Sequence, residues 1–324
     1  MKESLTPEKI EKDFLMGILS KENTLELLNS LIESSDNTGI RVESIKLLEK
    51  IGTHDEKIFK TLENQLISDE NAFIRASVAN YIILTFLEEG IPALRWIIQN
   101  EKSPLVLKII FNSLNRFDNP QLNLIKKDLI NWNKNYASKI GIDPQEAIFF
   151  FDLESLFAKD KQNYEINPLW FKNFQKLSNV KNGEPWLVIK NKHVEILNFN
   201  FFKWKFIKDN LDLVNTLSKL QDLDLYLNLL KRYDNNAFEL SEIPESIGYL
   251  TYIKKLILRN NNLTKLPFSF KKLNLIEVLD LSYNKFKQIP KVLNSNKTLK
   301  IINIKHNLVQ NIPESLINNV KIIR

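Results

Sequence analysis

The 324-residue sequence contains no cysteine, only three histidines and only seven glycines. The absence of cysteine excludes disulfides, thiolate catalysis and every cysteine-based metal site. His54, His193 and His306 lie far apart in the sequence, and His193 and His306 are predicted to have surface or packing roles. The few glycines form no phosphate-binding loop motif, and no H-E-x-x-H zinc motif occurs. We therefore predict no catalytic residues, no metal and no cofactor, and we expect that the protein is not an enzyme.

Long hydrophobic runs are also missing. No stretch of about 18 uninterrupted apolar residues, the length needed for a membrane-spanning helix, occurs. The first residues, MKESLTPEKIEKDF, are charged throughout and lack an apolar core followed by a cleavage site, which argues against a secretory signal. We expect a monomeric cytoplasmic protein without a membrane span.

Acidic residues are scarce in the C-terminal part of the chain. Residues 1–185 contain 23 lysines and arginines against 27 acidic residues, whereas residues 186–324 contain 22 against 12. The two parts therefore carry net charges of −4 and +10, consistent with +6 for the whole chain. This asymmetry favours an anionic partner such as an acidic protein surface, a nucleic acid or a membrane surface. A generally lysine-rich composition is the alternative explanation.

The C-terminal part contains an internal repeat with a period of 23 residues. The segments IKKLILRNNNLTKLP, IEVLDLSYNKFKQIP and LKIINIKHNLVQNIP align without gaps from Ile253, Ile276 and Leu299. The residues that recur in phase are the asparagines Asn261, Asn284 and Asn307 and the prolines Pro244, Pro267, Pro290 and Pro313. A fixed period of this length predicts a repeat architecture.

Two further copies are less regular. One begins at Leu220, has Asn228 in the asparagine position and is followed by an insertion at residues 231–240. Another begins at Val194, with Phe199 at a core position. The predicted order of copies along the array is therefore the order of the sequence.

Each end of the array has its own prediction. WLVIKNKHVEIL is typical of two short strands joined by a turn at residues 190–192, a hairpin suited to cap the first copy. At the other end, either Val320 and Ile322 form a minimal last strand, or another element covers that edge.

The spacing within one copy has a physical reason. Leu279 and Leu281 share one face of a short strand, because side chains alternate along a strand. Asn284 falls where the chain turns, so its amide can bond backbone groups that would otherwise cost about 1–3 kcal/mol each. Pro290 closes the turn. The segments resemble leucine-rich repeats of the 23-residue L-x-x-L-x-L-x-x-N-x-L-x-x-L-P variety, which implies a solenoid with short parallel strands over residues 186–324.

The resemblance implies a concave face built from the outward positions of successive strands. Its middle column is expected to run Asn198, Asp224, Ile257, Asp280, Asn303. The predicted protein-binding residues on and beside this face are Asp222, Asp224, Tyr226, Lys255, Ile257, Arg259, Asp280, Ser282, Tyr283, Asn303, Lys305 and His306. Tyrosine and arginine are typical of residues that dominate protein–protein affinity.

The N-terminal part contains a second, helical period. NTGIRVESIKLLEKIG, NAFIRASVANYIILTF and SPLVLKIIFNSLNRF lie at offsets of 34 and 32, and so do the helices LELLNSLIES, FKTLENQLISD and IPALRWIIQNE that precede them. These segments resemble HEAT repeats of the armadillo-like helical class, with Asp36 and Asp69 before the second helix and Arg41 and Arg75 near its start. The two arginines are predicted to be structural. Leu107 takes the arginine position in the third copy.

These patterns predict an α-solenoid followed by a leucine-rich-repeat solenoid. The expected boundaries are 1–135 for the HEAT-like repeats, 136–185 for connecting helices and 186–324 for the leucine-rich repeats. Within the connecting region, DPQEAIFFFDLESLFA is predicted to form a helix. Asp143 is its expected N-cap, and Glu146 is expected to close a capping box.

Both resemblances imply a non-catalytic scaffold or adaptor that binds proteins through the concave face and the α-solenoid groove. The 23-residue variety is similar to repeats in scaffolds that act with Ras-like small GTPases. A nucleic-acid-binding solenoid is the alternative, favoured by the basic C-terminal part and by the aromatic and lysine run FNFFKWKFI. An enzyme is a further alternative, because HEAT-like repeats also occur in chromophore lyases and DNA glycosylases.

Overall fold

The computed structural model of the chain describes residues 5–117, 120–158, 165–166, 187–199, 240–313 and 320–324. The chain divides into two compact units, Met1–Trp132 with Glu154–Ile166, and Asn133–Leu153 with Asn167–Arg324. The fold is mixed α/β, with helices in the N-terminal half and a mostly parallel sheet in the C-terminal half. None of the helices in the described part of the chain is both long enough and apolar enough to span a bilayer.

The N-terminal half is helical, as its apolar periodicity predicts. The α-helices in the described ranges are α1 (Pro7–Leu15), α2 (Lys21–Ser34), α3 (Thr38–Ile51), α4 (Glu56–Ser68), α5 (Ala72–Thr85), α6 (Leu87–Asn100), α7 (Pro104–Leu114), α8 (Asn123–Ile140) and α9 (Pro144–Ala158). Several begin at a side-chain cap: Asn37 accepts a hydrogen bond from the Ile40 N–H (3.2 Å), and Asp55 accepts one from the Ile58 N–H (3.0 Å). These caps satisfy first-turn N–H groups that have no partner within the helix.

Helix α5 is at the centre of the helical unit, packed against α3, α4, α6 and α7. The predicted apolar stripes lie in this core, and Ile45, Ile74 and Val106 are completely buried. The preceding helices contribute in-phase residues as well, with Leu28 and Leu62 completely buried. Successive helix pairs are therefore joined by continuous apolar packing.

Two arginines join consecutive helix pairs through hydrogen bonds. Arg41, on α3, bonds the side chains of Gln65 and Asp69 from the next pair, and its Nε donates to the Ile32 carbonyl (2.8 Å). Arg75, on α5, donates from Nε and Nη2 to the two carboxylate oxygens of Glu101 (2.8 Å each). Its Nη1 also donates to the Asp69 carbonyl (2.7 Å).

The third helix pair lacks this contact. Leu107 occupies the arginine position there, and it is buried. Glu101, which the sequence pattern did not single out, is the acidic partner that Arg75 requires, and its side chain is only 4% exposed.

The sheet contains six strands in the described residues, paired in the order in which they occur along the chain. The strands are β1 (Leu187–Lys190), β2 (His193–Asn198), β3 (Lys255–Ile257), β4 (Val278–Asp280), β5 (Ile301–Asn303) and β6 (Lys321–Ile323). β1 and β2 pair antiparallel, and every later pair is parallel. The predicted hairpin is confirmed, with Asn191 (φ 51°) and Lys192 (φ 67°) in its turn. Of the two alternatives for the C-terminal edge, a last strand is the observed one.

The pairing of β2 with β3 differs from the predicted middle column at one position. Asn198 pairs directly with Ile257, which leaves no strand between them where Asp224 was expected. The Asn261 amide donates to the Phe199 carbonyl (3.1 Å), and its oxygen accepts from the Leu240 N–H (3.2 Å). Residues 200–239, which include most of the predicted insertion at 231–240, lie outside the described residues. Asp222, Asp224, Tyr226 and Asn228 lie outside the described residues.

The recurring asparagines bond backbone groups of adjacent turns. Asn284 donates to the carbonyls of Leu258 (2.9 Å) and Leu281 (3.0 Å), and it accepts from the Leu263 N–H (3.0 Å). Asn307 repeats this arrangement one turn later, donating to the Leu281 carbonyl (2.8 Å). Each turn is therefore held by the asparagine of the following one.

The recurring prolines begin short helices on the far side of each turn. Pro244, Pro267 and Pro290 precede the 3₁₀-helices Glu245–Tyr249, Phe268–Lys272 and Lys291–Ser295. Their φ angles, −60°, −67° and −60°, are those that the proline ring imposes. Pro313 is the last described residue before a gap in the described ranges.

We predict that Arg75→Ala lowers the free energy of unfolding by about 3 kcal/mol, because it leaves the buried Glu101 carboxylate without its cation. Arg95→Ala is the control, since it removes another arginine from a pair with a carboxylate, Asp128, but Arg95 is 41% exposed. The control should lose less than about 1 kcal/mol. Urea denaturation followed by circular dichroism measures both, and equal losses would contradict a structural role for the buried pair.

We predict that Asn284→Ala destabilises the protein by about 3 kcal/mol, because it leaves several buried backbone groups without a hydrogen bond. Asn274→Ala removes the same side chain from an exposed position. It should change the stability by less than about 0.5 kcal/mol. Thermal denaturation of the two variants tests this, and a tolerated Asn284→Ala would show that the amide is not required.

Candidate functional site

Three side chains form a row beside the parallel sheet, of which Tyr283 and His306 are exposed and Arg259 is partly exposed. The rings of Tyr283 and His306 stack with their centroids 4.0 Å apart and their planes 25° from parallel. The guanidinium carbon of Arg259 lies 4.6 Å from the Tyr283 ring centroid. The three residues come from the loops that follow β3, β4 and β5, and we refer to them as the Arg–Tyr–His stack.

The backbone of these loops explains how the row arises. Asn260, Tyr283 and His306 stand at the same position of successive repeats, and their φ angles are 58°, 56° and 55°. The Tyr283 N–H donates to the Lys305 carbonyl (2.8 Å), so the following loop fixes this conformation. Asparagine and histidine are enriched in left-handed backbone, whereas tyrosine incurs about 1–2 kcal/mol there. Stacking of the Tyr283 and His306 rings offsets part of this cost, by about 0.5–1.5 kcal/mol.

The surface of the stack is aromatic and cationic. Tyr283 is 41% exposed, and His306 and Lys305 are exposed as well. The Nε of Arg259 is buried and has no hydrogen-bond partner among the described residues. A partner would therefore meet an aromatic ring flanked by positive charge.

Asp280 does not offset this charge by pairing with Arg259 or Lys305. Its Oδ1 accepts from the N–H (2.8 Å) and the hydroxyl (2.6 Å) of Ser282, and its Oδ2 accepts from the Asn303 amide (3.1 Å). The carboxylate is thus bound by the loop that it precedes and by Asn303 on the neighbouring strand β5. Lys255 and Asn303, on β3 and β5, are partly exposed on the predicted face.

Two residues predicted on the binding face are buried. Ile257 is only 3% exposed, and its registered neighbours Asn198 and Asp280 flank it on both sides. Ser282 is completely buried, and its hydroxyl donates to Asp280. The expectation that Ile257 and Ser282 are exposed on this face is therefore wrong.

A second cluster joins α9 to the hairpin. Glu146 was expected to close a capping box, but the N–H of Asp143 donates instead to the Lys192 carbonyl (2.8 Å). The Glu146 carboxylate accepts from the Val194 N–H (2.8 Å) and lies 2.8 Å from His193 Nδ1. Burial raises the pKa of Glu146, although these hydrogen bonds lower it in part.

His193 also stacks on Tyr252, with ring centroids 3.9 Å apart. The imidazole therefore contacts both a carboxylate and an aromatic ring, which gives it the packing role predicted from the sequence. Among the described residues, no group of three or more histidine and acidic side chains could hold a metal ion.

The sequence matches no protein-family model, and no curated protein gives a significant match. Repeat phase found Arg259, Tyr283 and His306, because all three follow strands spaced by 23 residues. It missed the contacts of Glu101 and Glu146, whose partners are distant in sequence. The signal for Glu101 was an acidic residue about one helical period after Asp69.

We predict that Glu146→Ala lowers the free energy of unfolding by about 2 kcal/mol, because the buried Val194 N–H loses its acceptor. Glu146→Gln should lose less than half as much, since an amide oxygen can still accept from Val194 and an amide N–H can face His193. Urea denaturation at constant pH compares the two. Equal losses would mean that charge, rather than the hydrogen bond to Val194, accounts for the contribution of Glu146.

Proposed function

We propose that this chain is a non-catalytic scaffold or adaptor that binds another protein. The binding face comprises the Arg–Tyr–His stack with Lys255, Asn303 and Lys305. The observation that carries this proposal is the row formed by exposed Tyr283 and His306, which stack, and by partly exposed Arg259, at the ends of three parallel strands. Arginine and tyrosine are enriched among residues that dominate protein–protein affinity.

We further propose that the C-terminal half is a leucine-rich-repeat solenoid and the N-terminal half a HEAT-like solenoid. The 23-residue recurrence of strand, asparagine and 3₁₀-helix supports the first assignment. The bridges from Arg41 and Arg75 to the next helix pair support the second. In such architectures each unit contacts its neighbours, which creates extended surfaces suited to macromolecules.

A protein partner fits the face better than a nucleic acid. Cationic Arg259 and Lys305 alternate with Tyr283 and with the amide of Asn303, whereas a phosphate-tracking groove is expected to be more uniformly cationic. The excess of lysine over acidic residues in the C-terminal half favours a partner with an acidic surface. The resemblance to scaffolds of Ras-like small GTPases makes such a GTPase the first defined partner to test.

We predict that the triple variant Arg259→Gln, Tyr283→Asn, His306→Asn loses at least tenfold in partner affinity while its melting temperature changes by no more than a few degrees. Asparagine is the residue that stands at the same left-handed position at 260, so the substitutions keep the backbone conformation. Affinity capture from native lysate and mass spectrometry identify the partner. Its affinity is then measured with purified proteins.

The control variant is Phe268→Asn, Lys271→Gln. These residues also form an exposed aromatic–cation contact (3.6 Å), but on a 3₁₀-helix rather than beside the strands. The control should bind as the unaltered protein does. If the triple variant still captures the partner, the Arg–Tyr–His stack is not the binding site. If the protein captures no protein but retains nucleic acid on a filter in a salt-dependent way, the alternative function is favoured.

A further inference from the structure

A cavity of about 400 Å³ opens in the helical unit. It lies between the end of α4, the start of α5 and the end of α6, together with residues 101–103. Glu165 also lines it, and the adjacent Ile166 N–H donates to the Lys102 carbonyl (2.7 Å). The cavity therefore spans two consecutive helix pairs.

One wall of the cavity is apolar and accessible. Trp96 is 45% exposed and Ile67 is 40% exposed, although both are large hydrophobic residues. Ile97 behind them is buried. A cation can bind over the ring of an accessible indole, and such a cation–π contact contributes about 0.5–2 kcal/mol to the binding free energy.

The charged floor of the cavity is already neutralised. Asp69 is paired with Arg41, and both oxygens of Glu101 are bonded by Arg75. Glu101 Oε1 also accepts from the backbone N–H groups of Lys102 (2.9 Å) and Ser103 (2.8 Å). Arg75 is consequently held in place and does not present its charge to a ligand.

The rim, by contrast, carries acidic groups that are weakly engaged. Glu70 is exposed and pairs with no cation among the described residues. Glu165 lies 3.5 Å from Lys102, and both side chains are more than 60% exposed. Exposed pairs of this kind contribute about 0–1 kcal/mol, so an incoming cation can replace Lys102.

We propose that this cavity binds a lysine or arginine side chain from an extended segment of a partner protein. The cationic group lies over the Trp96 indole and between the Glu70 and Glu165 carboxylates, and its aliphatic part contacts Ile67. The excess of acidic over basic rim residues selects a cation rather than an anion. This inference rests on the proposed scaffold function and assigns a kind of partner to the helical half.

The test is fluorescence anisotropy with the full-length chain and a labelled peptide of alternating lysine and alanine. A peptide of alternating glutamate and alanine is the negative probe. The lysine peptide is expected to bind and the glutamate peptide is not. Glu70→Lys with Glu165→Lys should weaken binding at least tenfold, and Trp96→Ala should weaken it about threefold, the loss expected from a cation–π contact.

The matched control is Glu22→Lys with Glu26→Lys on α2, which changes the net charge equally at exposed positions away from the cavity. This variant should keep the affinity of the unaltered protein. Equal weakening by the two charge reversals, or no binding of the lysine peptide, would overturn the proposal. Should the cavity reversal unfold, Glu70→Gln with Glu165→Gln tests the same carboxylates without added charge, and unchanged affinity would likewise overturn it.

Failure here is distinguishable from failure of the proposed function. Capture of a partner that depends on Arg259, Tyr283 and His306 can persist when the lysine peptide does not bind. In that case the scaffold proposal stands and only the cavity assignment falls.

Discussion

In the C-terminal half, the side-chain amide of each recurring asparagine bonds backbone groups of its own loop and of the loop before it. Asn284 contacts the backbone of Leu258 and Leu263 in one repeat and of Leu281 in its own. Strands of three residues pair only a few backbone groups with one another. The backbone groups of the long turns between them therefore need other hydrogen-bond partners. Because a buried polar group without a partner costs about 1–3 kcal/mol, the strands, turns and 3₁₀-helices depend on these amides. The same dependence makes each repeat incomplete without the next.

In the helical half, ion pairs rather than side-chain amides link each unit to the next. Arg41 and Arg75 lie on the second helix of a pair and reach a carboxylate that belongs to the next pair. A buried ion pair is a poor source of net stability, but removing one partner is strongly destabilising. Such contacts therefore determine how each helix pair is positioned against the next one. The apolar stripes through Ile45 and Ile74 supply most of the stabilisation. Where Leu107 replaces the arginine, the side chain at that position contributes apolar packing instead.

These constraints explain how much the sequence could predict. A residue that must recur to satisfy a loop, such as Asn284, leaves a periodic signal, so β3, β4 and β5 could be placed from the sequence. Contacts between residues that only folding brings together leave no periodic signal in the sequence. Asn261 bonds Phe199 and Leu240, and the repeat pattern alone predicted a different copy between β2 and β3. The alternation of side chains along a strand predicts the face on which Ile257 lies but not its exposed fraction. The capping-box rule for Glu146 considers only nearby residues, whereas its partner Val194 is distant in the sequence.

The exposed loop positions of the repeats show which backbone conformation folding requires and which different side chains it tolerates there. The loop before each recurring asparagine needs left-handed backbone, and Asn260 shows that a small amide suffices. Tyr283 meets the same requirement at a higher conformational cost, and stacking on His306 recovers only part of it. A residue less suited to its backbone than a close alternative is expected mainly where a function uses it. The repeat brings Tyr283 into contact with His306 and with Arg259, whose Nε has no hydrogen-bond partner among the described residues, and this supports binding at the Arg–Tyr–His stack over a purely architectural role.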